Sequence, residues 1–316
     1  MSVVSAPVAW TRTGPTRPGV RPGSARARAS VSLSSSSSSS SSGSLSSKDF
    51  TYLYGHGFGS SPASPKGAFL RDEFGGRAGV DVGLLDLTGP GAGFSECSVS
   101  DMLERIDDAR RKSGDPGRPL RLIGQQLGAY AAALYAEKER DRVDALVLLN
   151  PAFDLANRLE VMVGGDLAAL DRWRETGVHD FSGGRGTPEM MVKFDPLCVD
   201  LRRHSANPFV VCPTLLAHGV RDSVTPVEVS RDWCRWASVK LRARWMPQDE
   251  AAQRVLLEMD DDNTLDTSFG FVVDQALDFF DLVKSETRSE PLVDLEHRVD
   301  GMRARDALMD HAEHFQ

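Results

Sequence analysis

The run Gly124-Gln125-Gln126-Leu127-Gly128 sets two glycines four apart, between an apolar segment ending at Ile123 and the alanine-rich stretch Ala131–Lys138. A strand that turns this tightly into a helix lifts its middle side chain above the sheet edge, where a serine hydroxyl would attack an acyl carbon. The middle residue here is Gln126. Its amide nitrogen is no nucleophile, because the lone pair is delocalised into the carbonyl. Three other polar stretches follow apolar runs. His56 to Gly67, "HGFGSSPASPKG", is a glycine-rich loop. His218 to Ser230, "HGVRDSVTPVEVS", contains Asp222, and Leu256 to Leu265, "LLEMDDDNTL", contains Asn263.

Nucleophilic acyl transfer needs a hydroxyl, an imidazole to take and return its proton, and a carboxylate to orient that imidazole. Of the seven histidines, His56 lies in the glycine-rich loop and His218 ends an apolar run, so both read as structural. His179 and His204 fall in a polar insert, and His297, His311 and His314 lie beyond the last apolar segment. Ser60 and Ser61 are the nearest alternative hydroxyls to the glycine frame.

The elements that must position these groups alternate. Apolar strand patterns run over Phe50–Tyr54, Val80–Leu87, Leu120–Ile123, Asp144–Asn150, Thr214–Gly219 and Arg254–Met259. Helices are expected from Ser98, with Ser98 and Asp101 as a capping pair, through Ala131–Lys138, and over Phe271–Val283. Another should start at Thr225, with Pro226 in its first turn and Glu228 closing a capping box. Such alternation implies a mostly parallel sheet with helices on both faces. Residues 151–208 interrupt it with a polar, helix-leaning insert that follows a strand end, where ligand sites form in open α/β sheets; it reads as a helical cap.

Composition sets the rest. In 316 residues no apolar run approaches the ~18 needed to span a bilayer. The four cysteines show no metal spacing, which suggests reduced thiols and no metal or cofactor. Residues 1–48 form a leader whose first 47 positions hold five arginines, no acids and an unbroken serine run from Ser34 to Ser42. That is the composition of an organelle transit peptide, plastid ahead of mitochondrion; an unprocessed, disordered leader on a cytoplasmic protein is the alternative. Taking those five arginines from 37 Lys+Arg leaves 32 against 45 Asp+Glu, a net charge of −13. So acidic a body repels phosphate backbones, which argues against a nucleic-acid partner. Residues 286–316 place Leu292, Leu295, Val299, Met302 and Met309 on one face of an amphipathic tail.

From Phe50 to Val283 the chain resembles the α/β-hydrolase superfamily, especially its small soluble esterases and acyl-protein thioesterases. The resemblance implies a shortened α/β-hydrolase sheet over residues 49–285, with 151–208 as the cap. It places the triad positions at Gln126, Asp222 and Asn263, and the oxyanion donors at the Phe58 and Leu127 amides. Glutamine replaces the family's serine and asparagine its histidine, so the expected protein is not catalytic by the serine mechanism. It would bind a small apolar, acyl or ester-like ligand, or a protein partner. An esterase or thioesterase with relocated residues is the alternative. Gln126 is expected to turn its carbonyl oxygen, or a bound water, toward the Phe58 and Leu127 amides, with Asn263 held by Asp222.

Overall fold

The computed structural model describes residues 47–89, 93–184, 190–243 and 254–283. The leader up to residue 46 and the tail 286–316 lie outside them, and with these the transit-peptide and amphipathic-face expectations. The described chain starts in a short 3-10 turn, Ser47–Asp49.

Six strands form one parallel sheet. In chain order they are β1 (Thr51–Gly55), β2 (Val82–Leu85), β3 (Leu120–Gln125), β4 (Val143–Leu149), β7 (Thr214–Gly219) and β8 (Arg254–Met259). Their spatial order is β2-β1-β3-β4-β7-β8, and every pairing is parallel. Both faces are covered, so successive strand residues enter opposite cores. Leu122, Leu146, Leu148 and Leu216 pack into one; Ile123, Val147, Leu149 and Leu215 pack into the other. Helices α2 (Val99–Lys112), α3 (Leu127–Lys138) and α5 (Val227–Ala243) contribute to the first core. Helices α1 (Pro65–Ala78) and α6 (Phe269–Phe279) close the second.

All six expected strands are present within a few residues. Ser98 caps α2, its hydroxyl accepting from the Asp101 amide at 3.0 Å. Three expectations are corrected. Helix α1 was not anticipated, since three glycines blur its apolar face; its markers were Ser64 as cap, Pro65 in the first turn and Gly79 in the left-handed region at φ 64°. The Thr225–Glu228 capping box does not form. Helix α5 begins at Val227, and the Asp222 carboxylate instead accepts from the Val224 and Thr225 amides at 2.7 and 2.8 Å.

The insert is the third correction, because it is only partly helical. Two 3-10 segments, Leu155–Asn157 and Leu159–Val163, lead to α4 (Leu167–Thr176). An antiparallel pair follows, β5 (Val178–Asp180) with β6 (Met191–Lys193). Trp173 is fully buried under this pair and donates its indole N–H to the Val192 carbonyl at 2.9 Å.

Candidate functional site

The glycine frame is dictated by close approach. A Cβ on Gly124 would stand 2.6 Å from the Ala129 Cα, and one on Gly128 would strike the Gly55 and His56 carbonyls. Between them Gln126 adopts φ 49°, ψ −114°, a conformation a side-chain-bearing residue holds only at a cost of roughly 1–3 kcal/mol. The turn is fixed from both sides. Its amide donates to Leu149 at 2.8 Å, and its carbonyl accepts from Tyr130 and Ala152 at 3.0 and 3.2 Å.

The Gln126 side chain bridges two loops. Nε2 donates to the backbone carbonyl of Asn263 at 3.1 Å. Oε1 lies so close to the glycine-rich loop that a Cβ on Gly57 would stand 2.5 Å from it. Among the described residues neither the Phe58 nor the Leu127 amide donates to a protein acceptor. The expected bond from the Phe58 or Leu127 amide to the Gln126 oxygen does not form. Gln126 lies beside the oxyanion loop but bonds neither amide, its donor being used on the opposite loop.

Two neighbours repeat that bond. Asn150 Nδ2 donates to the Asp262 carbonyl at 3.1 Å, and Gln125 Nε2 to the Thr264 carbonyl at 3.5 Å. Three consecutive carbonyls, 262 to 264, are thus held by amide side chains from the ends of β3 and β4. Each amide is oriented in turn: Gln125 Oε1 accepts from the Tyr54 hydroxyl at 3.1 Å, and Asn150 Oδ1 from the Gly219 amide at 2.8 Å. Asn150 is fully buried at φ 44°. Reading the sequence missed Gln125 and Asn150. The only signal was a polar residue closing an otherwise apolar strand.

Asp222 and Asn263 do not meet through a hydrogen bond, contrary to expectation. Asp222 Oδ1 is taken by the two amides of its own turn, and Oδ2 lies 3.4 Å from His218 Nε2. That nitrogen donates to the Thr225 carbonyl at 2.8 Å, while His218 Nδ1 faces the Ser230 hydroxyl at 2.7 Å. Ser230, His218 and Asp222 are a serine–histidine–carboxylate chain in composition. Ser230 and His218 are fully buried, so no substrate reaches the hydroxyl.

The other candidate groups are also occupied. His56 donates from Nδ1 to the Gly57 carbonyl at 3.0 Å and accepts from the Leu87 amide at Nε2, 3.3 Å. Burial holds it below the ordinary imidazole range. His204 reaches Asp200, Ser100 and Lys138, tying the insert to α2 and α3. Ser60 and Ser61 have no imidazole hydrogen-bonded to them among the described residues, and neither lines the pocket below. Burial pushes the Cys97, Cys198 and Cys212 thiols up to about 12, so none supplies a thiolate near neutral pH. No metal-binding cluster of His, Cys, Asp or Glu occurs among the described residues.

Beside Gln126 opens a pocket of about 440 Å³, its mouth included. Phe58, Leu127, Ala152, Leu155, Met162 and Val224 form apolar walls, and Gln126, Asp222 and Thr225 are its polar members. Ala152, Leu155 and Met162 belong to the insert, so the insert does cover the site. Phe58 is also held from that side by Phe181, whose ring is 5.2 Å away, and by Phe94 ahead of α2 at 4.6 Å.

A model for an uncharacterised protein family, UPF0227, matches residues 51–182. No curated protein matches the chain. Among solved structures, alpha/beta hydrolase domain-containing protein 10 from mouse is similar with a TM-score of 0.56 and 17% identity, over 73% of this chain and 89% of that one. Est1E from Butyrivibrio proteoclasticus is similar with a TM-score of 0.53 and 18% identity, over 73% and 88%. Est1E with ferulic acid bound gives 0.55 and 19%, over 73% and 89%.

Proposed function

The chain has the α/β-hydrolase fold with esterase-like relatives, and from that premise we propose that it is a non-catalytic member that binds a small apolar or acyl ligand beneath its insert. The observation that carries this reading is the bond from Gln126 Nε2 to the Asn263 carbonyl, with no imidazole among the described residues hydrogen-bonded to either residue. Where the family mechanism needs a hydroxyl and a proton shuttle, this site has an amide engaged in holding a loop. Asn263 exchanges no proton near neutral pH. Asp222 has a local reason to persist without a triad, since it closes the turn ahead of α5. The adjoining pocket keeps a mostly apolar lining, which suits binding without turnover.

A fluorophosphonate probe on the full chain tests this. The expected result is no stoichiometric labelling and no turnover of p-nitrophenyl acetate above the buffer rate. Stoichiometric labelling overturns the reading, and the labelled peptide then identifies the relocated nucleophile.

A further inference from the structure

One cation is bonded to the backbone of a residue that lines the pocket. Arg158 lies between the two 3-10 segments of the insert, flanked in sequence by Leu155 and Met162, both of which line the pocket. Its Nη2 donates to the carbonyl of Val224, a third lining residue, at 3.2 Å. Among the described residues no carboxylate lies within ion-pair distance of it. Several other arginines of this acidic chain are paired, as Arg121 with Asp144 at 2.7 Å and Arg231 with Glu258 at 2.6 Å. A half-buried guanidinium with one N–H spent on a carbonyl keeps donors in the fork geometry that matches a carboxylate.

Asp222 decides the orientation of any anion here. Its carboxylate is 1% exposed and is directed at two amides and His218, with no arginine or lysine among the described residues paired to it. A second carboxylate placed deep beside it would meet a like charge in apolar surroundings. One at the mouth meets Arg158 instead. The walls around that mouth are mostly apolar, which suits the apolar body of a small ligand.

Resting on the binding function proposed above, we propose that the ligand is a small amphiphilic carboxylate, its apolar body among Phe58, Leu127, Leu155, Met162 and Val224 and its carboxylate on Arg158. The test is calorimetric titration of the full chain with two matched pairs, 3-phenylpropionate against 3-phenylpropan-1-ol and hexanoate against hexan-1-ol. In each pair the acid should bind about tenfold or more tightly than the alcohol, the scale of a charge-assisted bidentate contact. Arg158→Gln keeps a donor for Val224 and should bring the acids down to the alcohols while leaving the alcohols unchanged. Arg158→Lys should recover part of the preference, and Met162→Trp should block all four probes. Alcohols that bind as tightly as acids, or a preference that survives Arg158→Gln, overturn the carboxylate assignment alone. Acid binding that survives Met162→Trp places the site elsewhere and overturns it too. If none of the four probes binds at millimolar concentration, the binding function falls with it.

Discussion

Gln126 and Asn263, 137 residues apart, are joined by a side-chain amide donating to a backbone carbonyl at 3.1 Å. These are the two positions where the resemblance calls for serine and histidine. The Gln126 side chain is thus a strut between the turn after β3 and the loop after β8. That strut supplies an offset for the strained backbone at φ 49°.

The strut and the strain separate by substitution. Gln126→Ala keeps the strain and loses the bond, and should lower unfolding free energy by about 1 kcal/mol. Gln126→Gly loses the same bond but relieves the positive φ, and should lie within about 1 kcal/mol of wild type. Urea denaturation at pH 7.5 measures both. A Gly variant less stable than the Ala variant would contradict the strain argument.

Asn150 carries more than Gln126. Asn150→Ala strands the buried Gly219 amide and releases the Asp262 carbonyl, so a loss of roughly 1–3 kcal/mol is expected. A loss no larger than that of Gln126→Ala would mean that the loop is held mainly by other contacts.

Asp222→Ala discriminates a structural carboxylate from a relic. It removes the acceptor for two amides at 2.7 and 2.8 Å, and should cost about 3 kcal/mol. Were Asp222 only a residue left over from a triad, thermal stability would be unchanged.

Restoring both reacting groups should restore chemistry. Gln126→Ser with Asn263→His should turn over p-nitrophenyl acetate measurably, and each single change should not, because neither group acts without the other. Wild type as active as the double variant would sink the non-catalytic reading.

Acidification should destabilise the fold in two steps. His56 and His179 are held below the ordinary imidazole range, chiefly by burial, so near pH 6 the unfolded chain binds protons that the folded chain does not. Stability is full above the unfolded value of about 6.5 and falls as pH drops below it. Asp107, Asp200, Glu258 and Asp262 are held low by their hydrogen-bonding partners, so a second loss follows as pH falls through the carboxylate range. His56→Gln should flatten the first step between pH 7 and 5.5 in urea midpoints. An unchanged slope would assign that step elsewhere.

The sequence by itself determined the alternation of strands and helices, the glycine frame, the cap at Ser98 and the placement of Gln126, Asp222 and Asn263 in separate loops. Those are local matters. Apolar periodicity, glycine and proline punctuation and capping hydroxyls act within a few residues, so they are written where they operate. Helix α1 escaped because its glycines weakened the periodicity on which such reading depends. What the amide side chains at the strand ends touch was decided only by the tertiary structure: Gln125, Gln126 and Asn150 grip three consecutive carbonyls 112 to 139 residues away. Parallel pairing brings the ends of β3, β4, β7 and β8 to one edge of the sheet, and a side-chain amide there bonds whichever carbonyl that register delivers.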